Sequence, residues 1–411
     1  MLLTFCLTML RPIGIKPALL FTLLCLTLTT GCGGLPDEVV ERNHKNRQGE
    51  TVTLALNRYT NDTTLSLLSD MPSIQTLTLD KAQATDAGMS HLSKLTTLQM
   101  LALNGTDITD AALDELQQLT GLTQLELANT KITDAVIPKI QTFKNLRVLN
   151  LENTDITDEA LKSLSEMQQL QALVLNGTAI TDAGIAHLGK LKDLDSLRLN
   201  DTGVTDAAIE SLRGNQKITD LQLKNTKVTD KITDVLTGYS ELAYLNLEGT
   251  SITNNALLAL ASLKKIQYLF FSNTGTTVAA QARWSGIPTL MMNGTKNVDA
   301  ELVFAEGTTT IESISLVNSD LTDAGIKSLM TLPKLRRLSL QGTQITNSGI
   351  KELCQLKTIE ALNLKETEIT DAAIADLESL PNLKSLTLSK GQLSAEAKKK
   401  LGGALPSLRF Y

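Results

Sequence analysis

Asp62, Asp86, Asp110, Asp134, Asp158, Asp182, Asp206 and Asp230 recur every 24 residues, and Asp299, Asp323 and Asp371 continue the series after a shorter step. A column of carboxylates at fixed spacing could hold calcium, because hard cations take oxygen ligands. Calcium, however, needs several oxygens per ion, and each unit here offers one Asp beside one Thr. Thr-Asp at the start of an apolar-periodic stretch is a helix-start signal, since a short oxygen side chain accepts a hydrogen bond from an otherwise orphaned N–H. Capping is therefore the expected role of the column. The three histidines give no metal site. His91 and His187 share one register but lie four repeats apart, roughly 19 Å by strand spacing, and His44 stands alone. No phosphate-binding lysine loop, H-E-x-x-H, G-x-S-x-G or paired C-x-x-C is present. A catalytic site, a metal and a cofactor are all unexpected.

The other residues with binding chemistry are aromatic. The 411 residues hold only 5 Tyr, 7 Phe and 1 Trp. Tyr244, Tyr268 and Phe270 nevertheless fall in adjacent repeats, with Asn246 and Glu248 beside the first and Met291 in the next. Each alternates with a strand leucine, so the period-2 rule turns these side chains away from the core. Exposed aromatic clusters are uncommon and mark contact surfaces. The six residues form the candidate ligand-binding patch.

One unit shows what must position these side chains. In Leu122-Thr-Gln-Leu125-Glu-Leu127, alternating leucines mark a strand with one buried face. Thr130 then ends the strand, Ile132 turns back inward and Thr133-Asp134 opens a helix. Leu113, Leu116 and Leu119 in the neighbouring unit give that helix an inward stripe. A single unit cannot bury its apolar face, so units must stack. The pattern resembles the leucine-rich-repeat family, with Thr106, Thr130, Thr154, Thr178, Thr202, Thr226 and Thr250 at the usual Asn position. The Thr-Asp-Ala-Gly wording at Thr85, Thr181 and Thr322 is similar to bacterial relatives of the ribonuclease-inhibitor and cysteine-containing subtypes. The resemblance implies an α/β solenoid over residues 51–411, with about 15 repeats, a parallel concave sheet and convex helices. It also implies a protein partner held on the concave face. A glycan or cell-wall ligand is the alternative, and a structural envelope role a lesser one.

Two irregularities stand out. The unit between Val278 and Thr295 is three residues short and carries Trp284, which is expected to pack where a helix turn is missing. Leu405-Pro-Ser-Leu408-Arg-Phe410-Tyr411 begins a further unit, and its two aromatics are expected to lid the core.

Residues 1–31 read as a secretory signal: Arg11 and Lys16 precede the apolar run from Ala18 to Leu28, and small residues lead to Cys32. Met9 is an alternative start. Gly31-Cys32 resembles a bacterial lipoprotein cleavage site, with Thr29 where that family has leucine. The resemblance implies a diacylglycerol on Cys32, membrane attachment through it and a place in the cell envelope. Residues 32–50 read as the anchor and a polar tether. Cys6 and Cys25 would leave with the signal, and Cys354 falls on a polar helix register as an incidental thiol. A net charge of −6 gives no basic stripe for nucleic acid.

Overall fold

The computed structural model describes residues 35–276, 288–295, 298–301 and 310–411. Cys6, Cys25, Cys32, Trp284 and the signal segment lie outside them, as does most of the shortened unit. The chain divides into two compact units at Leu221/Gln222. Each follows the α/β repeat plan of the leucine-rich-repeat solenoid: short parallel strands on one face, short helices on the other and leucines between.

The first unit opens with an antiparallel hairpin, β1 (Val40–Lys45) on β2 (Thr51–Leu56). Parallel strands follow: β3 (Thr76–Thr78), β4 (Met100–Ala102), β5 (Gln124–Glu126), β6 (Val148–Asn150), β7 (Ala172–Val174) and β8 (Ser196–Arg198); β9 (Asp220–Gln222) straddles the division. The second unit holds β10 (Tyr244–Asn246), β11 (Tyr268–Phe270), β12 (Thr289–Met291), β13 (Ser313–Ser315), β14 (Arg337–Ser339), β15 (Ala361–Asn363), β16 (Ser385–Thr387) and β17 (Arg409–Phe410), all parallel. The central leucine of one strand pairs with that of the next, as in Leu125 with Leu149, with Ile314 taking the place in β13 and Phe410 in β17. These leucines are buried, together with Ile132, Leu113 and Leu116 at the turn and helix positions.

Three devices recur along the chain. The first is the threonine at the end of each strand. Thr106, Thr130, Thr154 and Thr178 are buried, and each hydroxyl donates to the carbonyl three residues earlier at 2.6 Å. The buried hydroxyl is thereby satisfied and closes the turn, at Thr106 and Thr178 alongside the threonine's own N–H, which reaches the same carbonyl at 3.3 Å. The second is a left-handed residue just before that threonine, Asn129, Asn153 and Gly177 among them, with φ of 57°, 52° and 65°. Asn and Gly tolerate this region at low cost.

The third device corrects the expected role of the Asp column. The helix cap is the threonine alone: Thr133, Thr157, Thr181 and Thr205 are N-caps whose hydroxyls accept from the N–H two residues on. The aspartate reaches to the following repeat. Asp182 Oδ1 accepts from the Thr205 N–H at 2.7 Å, and Oδ2 from its hydroxyl at 2.6 Å. Asp86 binds Thr109 and Asp110 binds Thr133 in the same way. The column is a ladder that ties helix start to helix start between repeats.

Residues 33–50 are also corrected. Among the described part, Val40–Lys45 forms a strand, Leu35 and Val39 are buried, and the Asn57 side chain donates to the Glu38 carbonyl at 2.6 Å. Residues 35–50 form an N-terminal cap and no loose tether. Its strand reads Val-Glu-Arg-Asn-His-Lys, without apolar alternation, because it is an edge strand whose charges discourage pairing with another chain. At the other end, Phe410 in β17 is half-buried, whereas Tyr411 is 42% exposed. Only the first of the two aromatics serves as a lid.

Candidate functional site

Strands β10 to β12 place the aromatic patch on the strand face of the second unit. Tyr244 pairs in register with Tyr268, Asn246 with Phe270 and Phe270 with Met291. The leucines between them, Leu245, Leu269 and Leu290, are fully buried, and this alternation turns the aromatic rings outward. The rings pack on one another. Tyr244 stacks on Tyr268 at 5.8 Å between centroids with a 30° interplanar angle, and tilts against Phe270 at 5.1 Å and 36°. Tyr244, Tyr268, Phe270 and Met291 are each half-buried. They form one pre-packed apolar surface, so little side-chain entropy remains to be lost on contact.

Asn246 and Glu248 stand differently. Asn246 is only 8% exposed, and its Oδ1 accepts the Glu248 N–H at 3.0 Å, so its amide serves the turn. Glu248 is held by Lys224 at 3.2 Å and rims the aromatic patch as a half-buried ion pair. The structure thus joins Tyr244, Tyr268, Phe270 and Met291 into one surface, with Glu248 at its edge and Asn246 mostly beneath it.

Beside Met291 and beyond it the outward positions become small: Thr289 in β12, Ser313 and Ser315 in β13 and Ser339 in β14. Two cations then follow that the sequence reading did not single out. Arg337 is exposed at the first outward position of β14, and Lys365 is half-buried just past β15. Neither belongs to an ion pair among the described residues. The strand register carried the signal for Arg337, because it precedes the buried Leu338 as Tyr268 precedes Leu269.

The strand face of the first unit differs in chemistry. Asp80, Glu126, Glu152 and Asp220 point from it, against Arg198. Burial pushes the Asp80 and Glu126 carboxyls up, opposed by hydrogen bonds from Asn104 and from Gln124 and Asn150 respectively. Asp220 is nearly buried and accepts from Ser196 and from two nitrogens of Arg198 at 3.0–3.1 Å. Asp195, at the strand edge, is pushed up to about 6, first by burial and then by the Asp220 charge.

The sign of the Asp195 effect follows from linkage. The folded chain holds that proton more tightly than the unfolded chain, so ionisation destabilises the fold. The penalty is full above about pH 6 and vanishes as pH falls below the ordinary carboxyl value near 4. Asp195→Asn is therefore expected to raise the melting temperature at pH 7.5, with the gain shrinking to nothing near pH 4. Thermal melts across that range check it; a gain independent of pH would exclude the linkage.

Cys354 is buried, contrary to its polar register. It is the C-cap of the helix Asn347–Leu353, and burial followed by the nearby Asp376 pushes its thiol up to about 12. Only the thiolate attacks. Cys354 is expected to resist a disulfide reagent at pH 8 in the native chain and to react fully in denaturant. Prompt native reaction would contradict this placement. Among the described residues no group of three His, Cys, Asp or Glu could hold a metal ion, and no helix is long and apolar enough to cross a membrane.

Parallel strands, buried leucines, threonine turns and a one-per-repeat ladder define a leucine-rich-repeat protein. A leucine-rich-repeat-region family model matches residues 54–269, and a leucine-rich-repeat model matches 331–354. The chain belongs to the leucine-rich-repeat family. No curated protein matches it in sequence. Among solved structures, a leucine-rich-repeat protein of Leptospira interrogans is similar in fold: 20% identity, TM-score 0.53, covering 84% of this chain and 91% of that one. An internalin of Listeria monocytogenes gives 22% identity and a TM-score of 0.47, covering 78% of this chain and 82% of the other. The ectodomain of the Arabidopsis thaliana receptor kinase GASSHO1/SCHENGEN3, solved with Casparian strip integrity factor 2, gives 16% and 0.46, over 90% of this chain and 51% of that one. Leucine-rich-repeat proteins typically mediate protein binding, and the family is typically a non-enzymatic scaffold.

Proposed function

We propose that this protein is a binding protein that holds a protein partner on the strand face of its second unit. The observation that carries the reading is the packed patch of Tyr244, Tyr268, Phe270 and Met291 on that face, in a chain where aromatics are 3% of residues. Interface hot spots are enriched in such pre-packed aromatics. A glycan ligand is less well served, because Asn246 is nearly buried with its side-chain oxygen held by its own turn, and the rings are tilted.

The cellular setting belongs to the same proposal: the chain is exported and anchored in the bacterial envelope through a lipidated Cys32. Mass spectrometry of the mature N-terminus tests this part, and an unmodified terminus other than Cys32 would sink it.

The binding surface is tested by affinity capture from the native envelope and its surroundings. The bait is residues 33–411, compared with a Tyr244→Ala, Tyr268→Ala, Phe270→Ala variant whose melting curve shows an intact fold. Loss of a roughly 2 kcal/mol hot spot predicts about 30-fold weaker binding or more for the variant. A partner held equally by both would place the site elsewhere. A partner released by deglycosylating its surface would transfer the reading to a glycan.

A further inference from the structure

We infer that the partner segment bound by the second unit is apolar at one end and acidic at the other, lying across the strands from the aromatic patch to Arg337. The inference rests on the proposed binding face and adds the ligand's chemistry and direction.

Charge carries the first half of the argument. On the outward side of β10 to β16 and the turn positions that follow them, the described carboxylates are Glu248, which is bonded to Lys224, and Glu366, an exposed turn residue that accepts from the Gln341 side chain at 3.4 Å. Among the described residues Arg337 and Lys365 belong to no ion pair, and these two cations outnumber the Glu366 carboxylate on this face. The neighbouring edge column does not neutralise Arg337. Glu360 is shared by Arg336 at 2.7 Å and Lys384 at 2.9 Å, and these two cations hold its carboxyl below the usual range. Glu312 precedes β13 in the same edge column, next to Arg336. The chain as a whole carries −6, so a strand face with unmatched positive charge runs against its composition. The first unit's strand face shows the contrast, with Asp80, Glu126, Glu152 and Asp220 against Arg198. An acidic segment is attracted to one face and repelled by the other.

Geometry carries the second half. Tyr268, Thr289, Ser313 and Arg337 stand in one register row across β11, β12, β13 and β14. Three strand spacings of ~4.8 Å put the patch and the guanidinium roughly 14 Å apart, a span of about four extended residues. Thr289 and Ser313 leave the row between them low. The apolar end suits a protein side chain better than a sugar: the rings meet at 30° and 36° instead of lying flat, and Met291 extends them with a soft, adaptable surface. The occupant is an extended polypeptide segment with an aromatic or aliphatic anchor followed, about four residues on, by acidic side chains.

The test uses residues 33–411 and two fluorescein-labelled heptapeptides with blocked ends. One reads tryptophan, leucine, serine, glycine, serine, glutamate, glutamate; the other carries glutamine at both acidic positions. Fluorescence anisotropy is measured at low and high salt with the wild type, with Arg337→Ala plus Lys365→Ala, and with the triple aromatic variant. The expected result is at least tenfold tighter binding of the acidic peptide, falling to within twofold in the Arg337/Lys365 variant and shrinking with salt. Both peptides should be lost in the aromatic variant. Equal binding of the two peptides, with loss of both in the aromatic variant, would overturn the acidic assignment and leave the binding face standing. Binding of the acidic peptide that survives the aromatic variant would overturn both. No binding of either peptide would overturn the segment as specified. Oligogalacturonate competing as strongly as the acidic peptide would replace the polypeptide by an acidic glycan.

Discussion

Replacing Leu35 and Val39 together by alanine is expected to destabilise the first unit by about 3–6 kcal/mol, the usual range for truncating two fully enclosed aliphatic side chains. Both are buried, at 5% and 3% exposure, although they precede the repeats and lie in a stretch of polar composition. They cover the end of the core that the repeats leave open, and β1 covers the free edge of β2. Val39 also accepts the Asn57 N–H at 2.9 Å, which fixes the cap against the first turn. An uncovered terminal repeat exposes leucines and an unpaired strand edge together, which favours aggregation. Denaturant unfolding of the double variant measures the loss. No change in midpoint would mean that residues 35–50 are a tether after all.

The second large effect concerns the aspartate ladder. Asp182→Ala removes two hydrogen bonds to Thr205 and leaves a helix-start N–H without its partner, an expected loss of about 1–3 kcal/mol. Asp182→Asn should cost far less, and the chain itself gives the reason. Asn347 occupies the ladder position in a later repeat. Its Oδ1 accepts the Thr370 N–H at 3.0 Å, and its Nδ2 donates to the Thr370 hydroxyl at 2.8 Å. The amide makes the same two contacts with one of them reversed. Charge is therefore dispensable at this position, while a hydrogen-bonding fork is required. Equal losses for the alanine and asparagine variants would show instead that the carboxylate charge matters, as a cation-binding column would require.

The repeat plan was legible because it rests on local rules. Alternating leucines, a threonine at each turn and Thr-Asp before each helix state strand, turn and helix start within one 24-residue window. The ladder was not legible in the same way. Thr133-Asp134 reads as a cap within its own repeat, and only stacking shows that Asp110 reaches Thr133 while Asp134 reaches forward. The hairpin was missed because an edge strand that carries Glu41, Arg42 and Lys45 has no apolar alternation to detect. Its two anchors, Leu35 and Val39, sit ahead of the strand itself.

For the site, alternation was enough to turn Tyr244, Tyr268 and Phe270 outward, but it could not show how tightly the rings pack. It also could not separate Tyr244, which forms surface, from Asn246, whose amide is drawn into the turn below. Arg337 was accessible to the same register argument and was passed over because a single arginine carries no signal until the ion pairs around it are known.

The most direct measurement is site-specific photo-crosslinking to the captured partner. A benzophenone amino acid would be placed at Ser313, on the strand face beyond the aromatic patch, and in a second protein at Leu258, which is 48% exposed on the helix Asn254–Leu260. A covalent adduct with the partner is expected from Ser313 and none from Leu258. An adduct from Leu258 alone would put the partner on the helix face and contradict the account.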